Sequence, residues 1–157
     1  MNIDLLAIGK TKTGYISEGL ELYLKRLKHY VPFCITELPD VKNAGKMSQE
    51  EQKEAEGQMF LSRITAGDYV VLLDERGKEY TSVEFAGKLG SFMNSGRKRT
   101  VLLIGGPYGF SKAVYDRADE SLSLSKMTFN HEMVRLFITE QVYRAMTIMR
   151  GEPYHHQ

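Results

Sequence analysis

Two runs in this chain, YVVLL (residues 69–73) and TVLLI (residues 100–104), carry no charge and do not alternate apolar with polar side chains. Successive side chains of a strand point to opposite faces, so a run without alternation is what a strand covered on both faces requires. Such strands need a layer above and a layer below, and the segments between them have helical spacing. IDLLAIG (3–9) reads as a further buried strand, and YISEGLELYLKRL (15–27) follows with Ile16, Leu20, Leu24 and Leu27 on one helical face. FCITEL (33–38) is a strand closed by Pro39, DVKNAGK (40–46) is a polar loop, and Ser48 with Glu51 forms a capping box opening a helix that runs to about Ile64. After the strand DYVVLLDE (68–75), Thr81 with Glu84 forms a second capping box, and Phe85, Leu89, Phe92 and Met93 give the next helix its inner face. TVLLIGG (100–106) is the fourth strand, SKAVYDRADE (111–120) a short helix, SLSLSKMTF (121–129) a fifth strand or extended loop, and HEMVRLFITEQVYRAMTIMR (131–150) the longest helix. Strand and helix thus alternate five times, which implies an α/β fold: a mostly parallel sheet with helices on both faces. With 157 residues and no repeat, low-complexity stretch or dividing linker, the chain reads as a single domain over residues 1–157.

Composition narrows the functional classes. A hydrophobic share of 42% with 26% charged residues belongs to a folded chain, not a disordered one. No apolar run approaches the roughly 20 residues needed to cross a bilayer, and MNIDLLAIGKTK lacks a signal peptide's basic lead and cleavage site, so a cytoplasmic location without membrane partners is expected. The lone Cys34 excludes an intrachain disulfide and a multi-cysteine zinc site. His29, His131, His155 and His156 form neither an H-x-x-x-H pair nor HExxH, so no metal is expected. A net charge of +1 leaves nucleic acid open as a partner, because phosphate binding depends on local basic patches. Three exist: Lys25, Arg26, Lys28 and His29; Arg97, Lys98 and Arg99; and Lys10 with Lys12. Solvated surface charge is the commoner meaning of such clusters.

The chemistry is concentrated in the last third. In open α/β sheets ligands lie beyond the carboxyl ends of the strands, and GGPYG (105–109) is such a loop, where glycine admits positive φ and close approach to main-chain amides. A tight turn alone would explain the stretch equally well. Gly9 and Gly14 have P-loop spacing, but Tyr15 and Ile16 stand where Lys and Ser or Thr are required, and no G-x-G-x-x-G follows any strand. A nucleoside triphosphate or dinucleotide is therefore disfavoured against a small ligand held by backbone groups. The second loop leads into the final helix with Asn130 as N-cap. That helix carries an apolar stripe through Val134, Ile138, Val142, Ala145, Ile148 and Met149, and His131 and Arg135 fall on it. A charge on a core-facing stripe is costly unless paired or set at a cleft, so the helix start either borders a polar site or is a frayed, wet end. Glu140 and Arg144, four apart, are expected to pair. The tail Pro153, Tyr154, His155, His156 is either a loose end or an aromatic and an imidazole laid over a site.

LLIGGPYGFS (102–111), followed by SLSLSKMTFNHEMVRLFITEQVYRAMTIMRGEPYHH (121–156), closely resembles the bacterial ribosomal RNA large-subunit methyltransferase H family, of the SPOUT class. IDLLAIGK and VVLLDERGK match as well, so the likeness covers essentially the whole chain, with Asn130 standing where many members have proline. The resemblance implies a C-terminal trefoil knot, an exception to the rule against knotted chains. It further implies a homodimer, S-adenosylmethionine as methyl donor, and N3 of a pseudouridine in 23S rRNA, within the large subunit or assembled ribosome, as acceptor. Carried onto this sequence, the donor-binding positions are Leu73, Gly105, Leu124, Ser125, Lys126, Met127, Thr128 and Phe129.

An imide nitrogen must lose its proton to act as nucleophile, which calls for a base and a cation that stabilises the developing anion. His131 or His155 is the candidate base, Arg135 or Arg144 the group orienting phosphate or the anionic base, and Tyr154 a stacking platform for a nucleotide. The rivals are an RNA-binding or ribosome-associated factor without catalysis and a different α/β enzyme using the glycine loop for a nucleotide.

Overall fold

The computed structural model describes residues 1–156. Its strands are β1 (Asn2–Ile8), β2 (Phe33–Leu38), β3 (Tyr69–Glu79), β4 (Arg99–Ile104) and β5 (Glu120–Ser123). Its helices are α1 (Gly14–Leu27), α2 (Gln49–Leu61), α3 (Ser82–Met93), α4 (Lys112–Arg117) and α5 (His131–Met149), with one 3₁₀ turn at Ala44–Lys46. The strands form one sheet in the order β2-β1-β4-β3-β5, with every neighbouring pair parallel.

Alternating side chains feed two cores, as the non-alternating runs predict. On one face Ile3, Leu5, Ala7, Val71, Leu102 and Ile104 meet Leu27 of α1, Phe85 and Leu89 of α3, and Ile138 and Val142 of α5. On the other, Leu6, Val70, Leu72, Val101 and Leu103 meet Phe60 of α2 and Val114 of α4. The parallel sheet with helices on both faces is thereby observed.

Both capping boxes form, and Asn130 accepts from the Glu132 amide as N-cap of α5. α2 stops at Leu61, short of the expected Ile64, because the chain turns there: Arg63 and Ile64 donate back to Phe60 and Leu61 in tight 3₁₀-like bonds. β3 extends past the expected Glu75 to Glu79, with a register shift against β5 between Leu73 and Lys78. A Cβ at Gly77 would sit 2.7 Å from the backbone of Ser121 and Leu122, so only glycine passes β5 this closely. On α5 the buried positions are Glu132, Arg135, Ile138, Thr139, Val142, Ala145, Met146 and Thr147; His131 and Met149, expected on the stripe, are exposed at its two ends, where the neighbouring elements stop covering the helix.

Of the Arg97, Lys98, Arg99 patch, the two arginines are internal bracing at the amino ends of the strands, the end of the sheet away from GGPYG, while Lys98 is exposed. Arg99 donates to Asp4 at 2.8 Å, to Asp68 and to the Arg63 carbonyl, and Arg97 donates to the Asp68 carbonyl. Lys10, Lys12, Lys25 and Lys28 remain exposed.

Candidate functional site

A cleft of about 770 Å³ opens beyond the carboxyl ends of the parallel strands, a volume usual for small-molecule sites. Its floor is made by the strand ends at Ile8, Leu73, Ile104 and Leu122. One wall is the loop Gly105–Phe110, closed as a turn by the Gly109 amide donating to Gly106, with Gly109 at φ 86°. The facing wall is Leu124, Ser125, Met127 to Asn130 and the start of α5, including His131, Val134 and Arg135. The bulged part of β3, Asp74–Arg76, completes the rim, tied to the loop by Thr128 donating to Glu75 at 3.0 Å and to α4 by Tyr115 donating to Asp74.

The expected donor positions converge here. Leu73, Gly105, Leu124, Ser125, Met127, Thr128 and Phe129 all line the cleft. Lys126 does not; its exposed side chain points outward, 3.8 Å from Glu79. The loop braces itself through Ser123 donating to the Ser125 carbonyl and the Met127 amide donating to the Ser125 hydroxyl, both at 2.9 Å.

The glycine loop has a neighbour that the sequence reading lacked. A Cβ at Gly106 would overlap both carboxylate oxygens of Glu56, so part of what keeps side chains away from this loop is the protein's own α2. Glu56 is 3% exposed and lines the cleft. One oxygen accepts from Gln52 at 3.3 Å and the other has no partner. Burial raises its pKa above the ordinary carboxylate range despite the Gln52 bond, and Asp40 adds to the rise. A signal existed: Glu56, Gly57 and Phe60 share one helical face, so a charge stood on a buried stripe there just as Arg135 does on α5.

Arg135 is paired as well as set at the cleft. It is 1% exposed and donates to the Thr11 hydroxyl at 2.8 Å, to the Ile8 carbonyl at 2.8 Å and to Glu37 at 3.2 Å. Burial lowers its pKa, while Glu37 and Glu132 oppose that shift. One turn earlier Glu132 accepts from the Thr13 amide at 2.9 Å and the Lys12 amide at 3.0 Å, capping α1. The Thr13 amide bond is the leading reason its carboxyl lies below the ordinary range. The start of α5 therefore grips the loop that carries Lys10 and Lys12, while His131 stands exposed on the cleft lip.

Tyr154 and His155 lie elsewhere on the chain. Tyr154 donates to Glu140 at 2.9 Å and packs edge-on against Tyr143, with Arg144 over its ring at 4.8 Å. Arg144 pairs with Glu140, as its spacing predicts, and contacts His155 Nδ1 at 3.0 Å. Glu140 lies nine helical steps beyond His131, roughly 14 Å along the axis. A smaller groove lined by Tyr80, Phe129, Phe137 and Glu140 runs between the two clusters. The four catalytic candidates thus divide into two pairs, His131 with Arg135 and Tyr154 with His155.

The family model described as "Predicted SPOUT methyltransferase" matches residues 1–155. This chain belongs to that family. Full-length relatives include "Ribosomal RNA large subunit methyltransferase H" of Parabacteroides distasonis, 53% identical over 157 residues with all of both chains covered. Proteins of the same name from Flavobacterium johnsoniae and Bacteroides thetaiotaomicron are 51% and 46% identical over the same full span. Family membership attaches methyl transfer to this fold and so calls for a methyl donor. Among the described residues no helix is long and apolar enough to cross a membrane, and no group of three or more His, Cys, Asp or Glu is arranged to hold a metal.

Proposed function

We propose that this chain methylates N3 of a pseudouridine in 23S rRNA of the large ribosomal subunit, with S-adenosylmethionine as donor, acting as a cytoplasmic homodimer. The observation that carries the reading is that Leu73, Gly105, Leu124, Ser125, Met127, Thr128 and Phe129 line one cleft, with His131 on its lip. The cleft's chemistry fits this donor. Leu73, Ile104, Leu124 and Phe129 offer apolar surface for a purine, the glycine loop offers main-chain groups, and Asp40, Glu56, Asp74 and Glu75 give a negative field suited to the sulfonium and ammonium groups of a donor whose net charge is positive. The donor supplies a methyl group activated by the positive charge on sulfur.

This chain's residues do the rest. His131, exposed at the cleft, accepts the N3 proton of the acceptor base. Arg135, with both terminal nitrogens committed to Ile8, Thr11 and Glu37, serves as a positioning residue that fixes the loop bearing Lys10 and Lys12 against rRNA phosphates. Arg144, Tyr154 and His155 form the second half of the site. Their distance from His131 within one protomer supports the homodimer, since two-fold pairing delivers one protomer's tail to the other's cleft. His155 stays the alternative base in that arrangement. The strand order supports the expected trefoil knot: β4 enters between β1 and β3, α4 lies on one face, and the chain then crosses to the other face as α5.

Mass mapping of 23S rRNA modifications in cells with and without the gene tests the reaction. Loss of one pseudouridine methyl in the deletion strain supports it, and an unchanged map ends it. Methyl-transfer rates of His131→Ala, Arg135→Ala and His155→Ala at saturating donor test the roles; near wild-type rates in all three would remove them.

A further inference from the structure

We propose that Glu56 is a donor-binding residue, its unpartnered oxygen accepting a hydrogen bond from the α-ammonium group of the methyl donor. This rests on the reading of the cleft as the donor site. Glu56 projects from α2 into the cleft wall, 3% exposed, with Gln52 bonded to one oxygen at 3.3 Å and nothing bonded to the other. Its carboxylate oxygens occupy the space beside Gly106 into which a Cβ would project. Gly57, the next residue, lets α2 press against Ser111 and Val114 at the start of α4, so the wall carrying Glu56 is tightly seated.

A buried carboxylate with an unfilled acceptor is costly to keep unless a ligand completes it, and a cation with N–H groups completes it best. The donor has two positive centres, and they differ in what they can offer. The sulfonium carries charge but has no hydrogen to donate, and its methyl must face the acceptor base at the cleft mouth. The α-ammonium carries charge and three N–H donors, takes no part in the transfer, and can be enclosed. Asp40, also lining the cleft, adds negative potential on the same side. The geometry therefore suits Glu56 to the amino-acid end of the donor, leaving the sulfonium free to face the lip where His131 stands.

Calorimetry with three ligands on wild type and Glu56→Gln tests this. S-adenosylmethionine has both cations, S-adenosylhomocysteine keeps only the ammonium, and 5′-methylthioadenosine has neither. Glu56→Gln should weaken the first two about tenfold or more and leave the third within about twofold. Loss for S-adenosylmethionine alone would assign Glu56 to the sulfonium, equal loss for all three would assign it to the ribose or adenine, and no loss would remove it from binding; each overturns the proposal. Thermal unfolding of the unliganded variant should be at or above the wild-type temperature, since the exchange removes a costly buried charge and keeps the shape. If Glu56→Gln does not fold, Glu56→Asp should show the same selectivity between ligands with smaller losses, and uniform behaviour toward the three would overturn the proposal. Wild-type protein that binds none of the three would overturn the donor-site reading itself, and this inference with it.

Discussion

Arg135 Nη2 donates to the carbonyl of Ile8 at 2.8 Å, so the first turns of the last helix hold the end of the first strand. The same guanidinium reaches Thr11 and Glu37. Removing one member of a buried charged network strands the others, which typically costs about 3 kcal/mol or more. Arg135→Ala is expected to lose about that much stability by urea unfolding, and to raise protease sensitivity at Lys10 and Lys12. An unchanged unfolding midpoint would show that the network contributes no net stability.

Glu132 should give the protein a pH-dependent increment with a definite sign. Its folded pKa is depressed, first by the Thr13 amide, so the increment is complete above the unfolded carboxylate value and is lost as pH falls through the folded one. Glu132→Gln is expected to cost about 1 kcal/mol at pH 7. The gap from wild type should close once pH drops below about 4.3 toward the depressed folded value. Paired denaturation curves at pH 7 and pH 3 measure it; a gap of equal size at both would exclude the charge as its source.

Two glycine substitutions should separate by what they collide with. At Gly106 the obstacle is the Glu56 side chain, whereas at Gly77 it is the backbone of β5 at 2.7 Å. Gly106→Ala is expected to cost about 1–3 kcal/mol, most of it recovered in the double variant with Glu56→Ala, while Gly77→Ala should cost at least as much. A double-mutant cycle checks the coupling, and purely additive losses at positions 106 and 56 would contradict the contact.

The tail should be released by one substitution on α5. Arg144 carries the contacts to Glu140, to His155 and to the Tyr154 ring. Charge-assisted bonds of this kind contribute about 1.5–3 kcal/mol. Arg144→Ala is therefore expected to speed carboxypeptidase digestion past His155 about tenfold or more, with the melting temperature of the body little changed. Equal digestion rates would mean that Tyr23 and Glu140 hold Tyr154 without it.

Much of this molecule follows from rules that act within one element. The unalternating runs at 69–73 and 100–104 became strands whose central residues are buried on both faces. The Ser48–Glu51 and Thr81–Glu84 boxes, the Asn130 cap and the Glu140–Arg144 pair formed because each depends only on residues two to four apart in the chain. The location of the cleft at the ends of parallel strands followed from fold class alone.

What the tertiary structure decided is which distant residues meet. Glu132 accepts from the Thr13 amide, 119 residues earlier, at the start of α1, Arg135 closes on Ile8 and Glu37, and Glu56 of α2 presses on Gly106 after β4. Strand order β2-β1-β4-β3-β5 and the packing of α5 across α1 create these meetings, and hydrophobic periodicity has the same value for every order of the strands. The separation of His131 from Tyr154 has the same origin. The sequence shows them near the two ends of one helix and its tail, but only the fold of that tail back onto Tyr143 and Glu140 determines that one chain holds them apart.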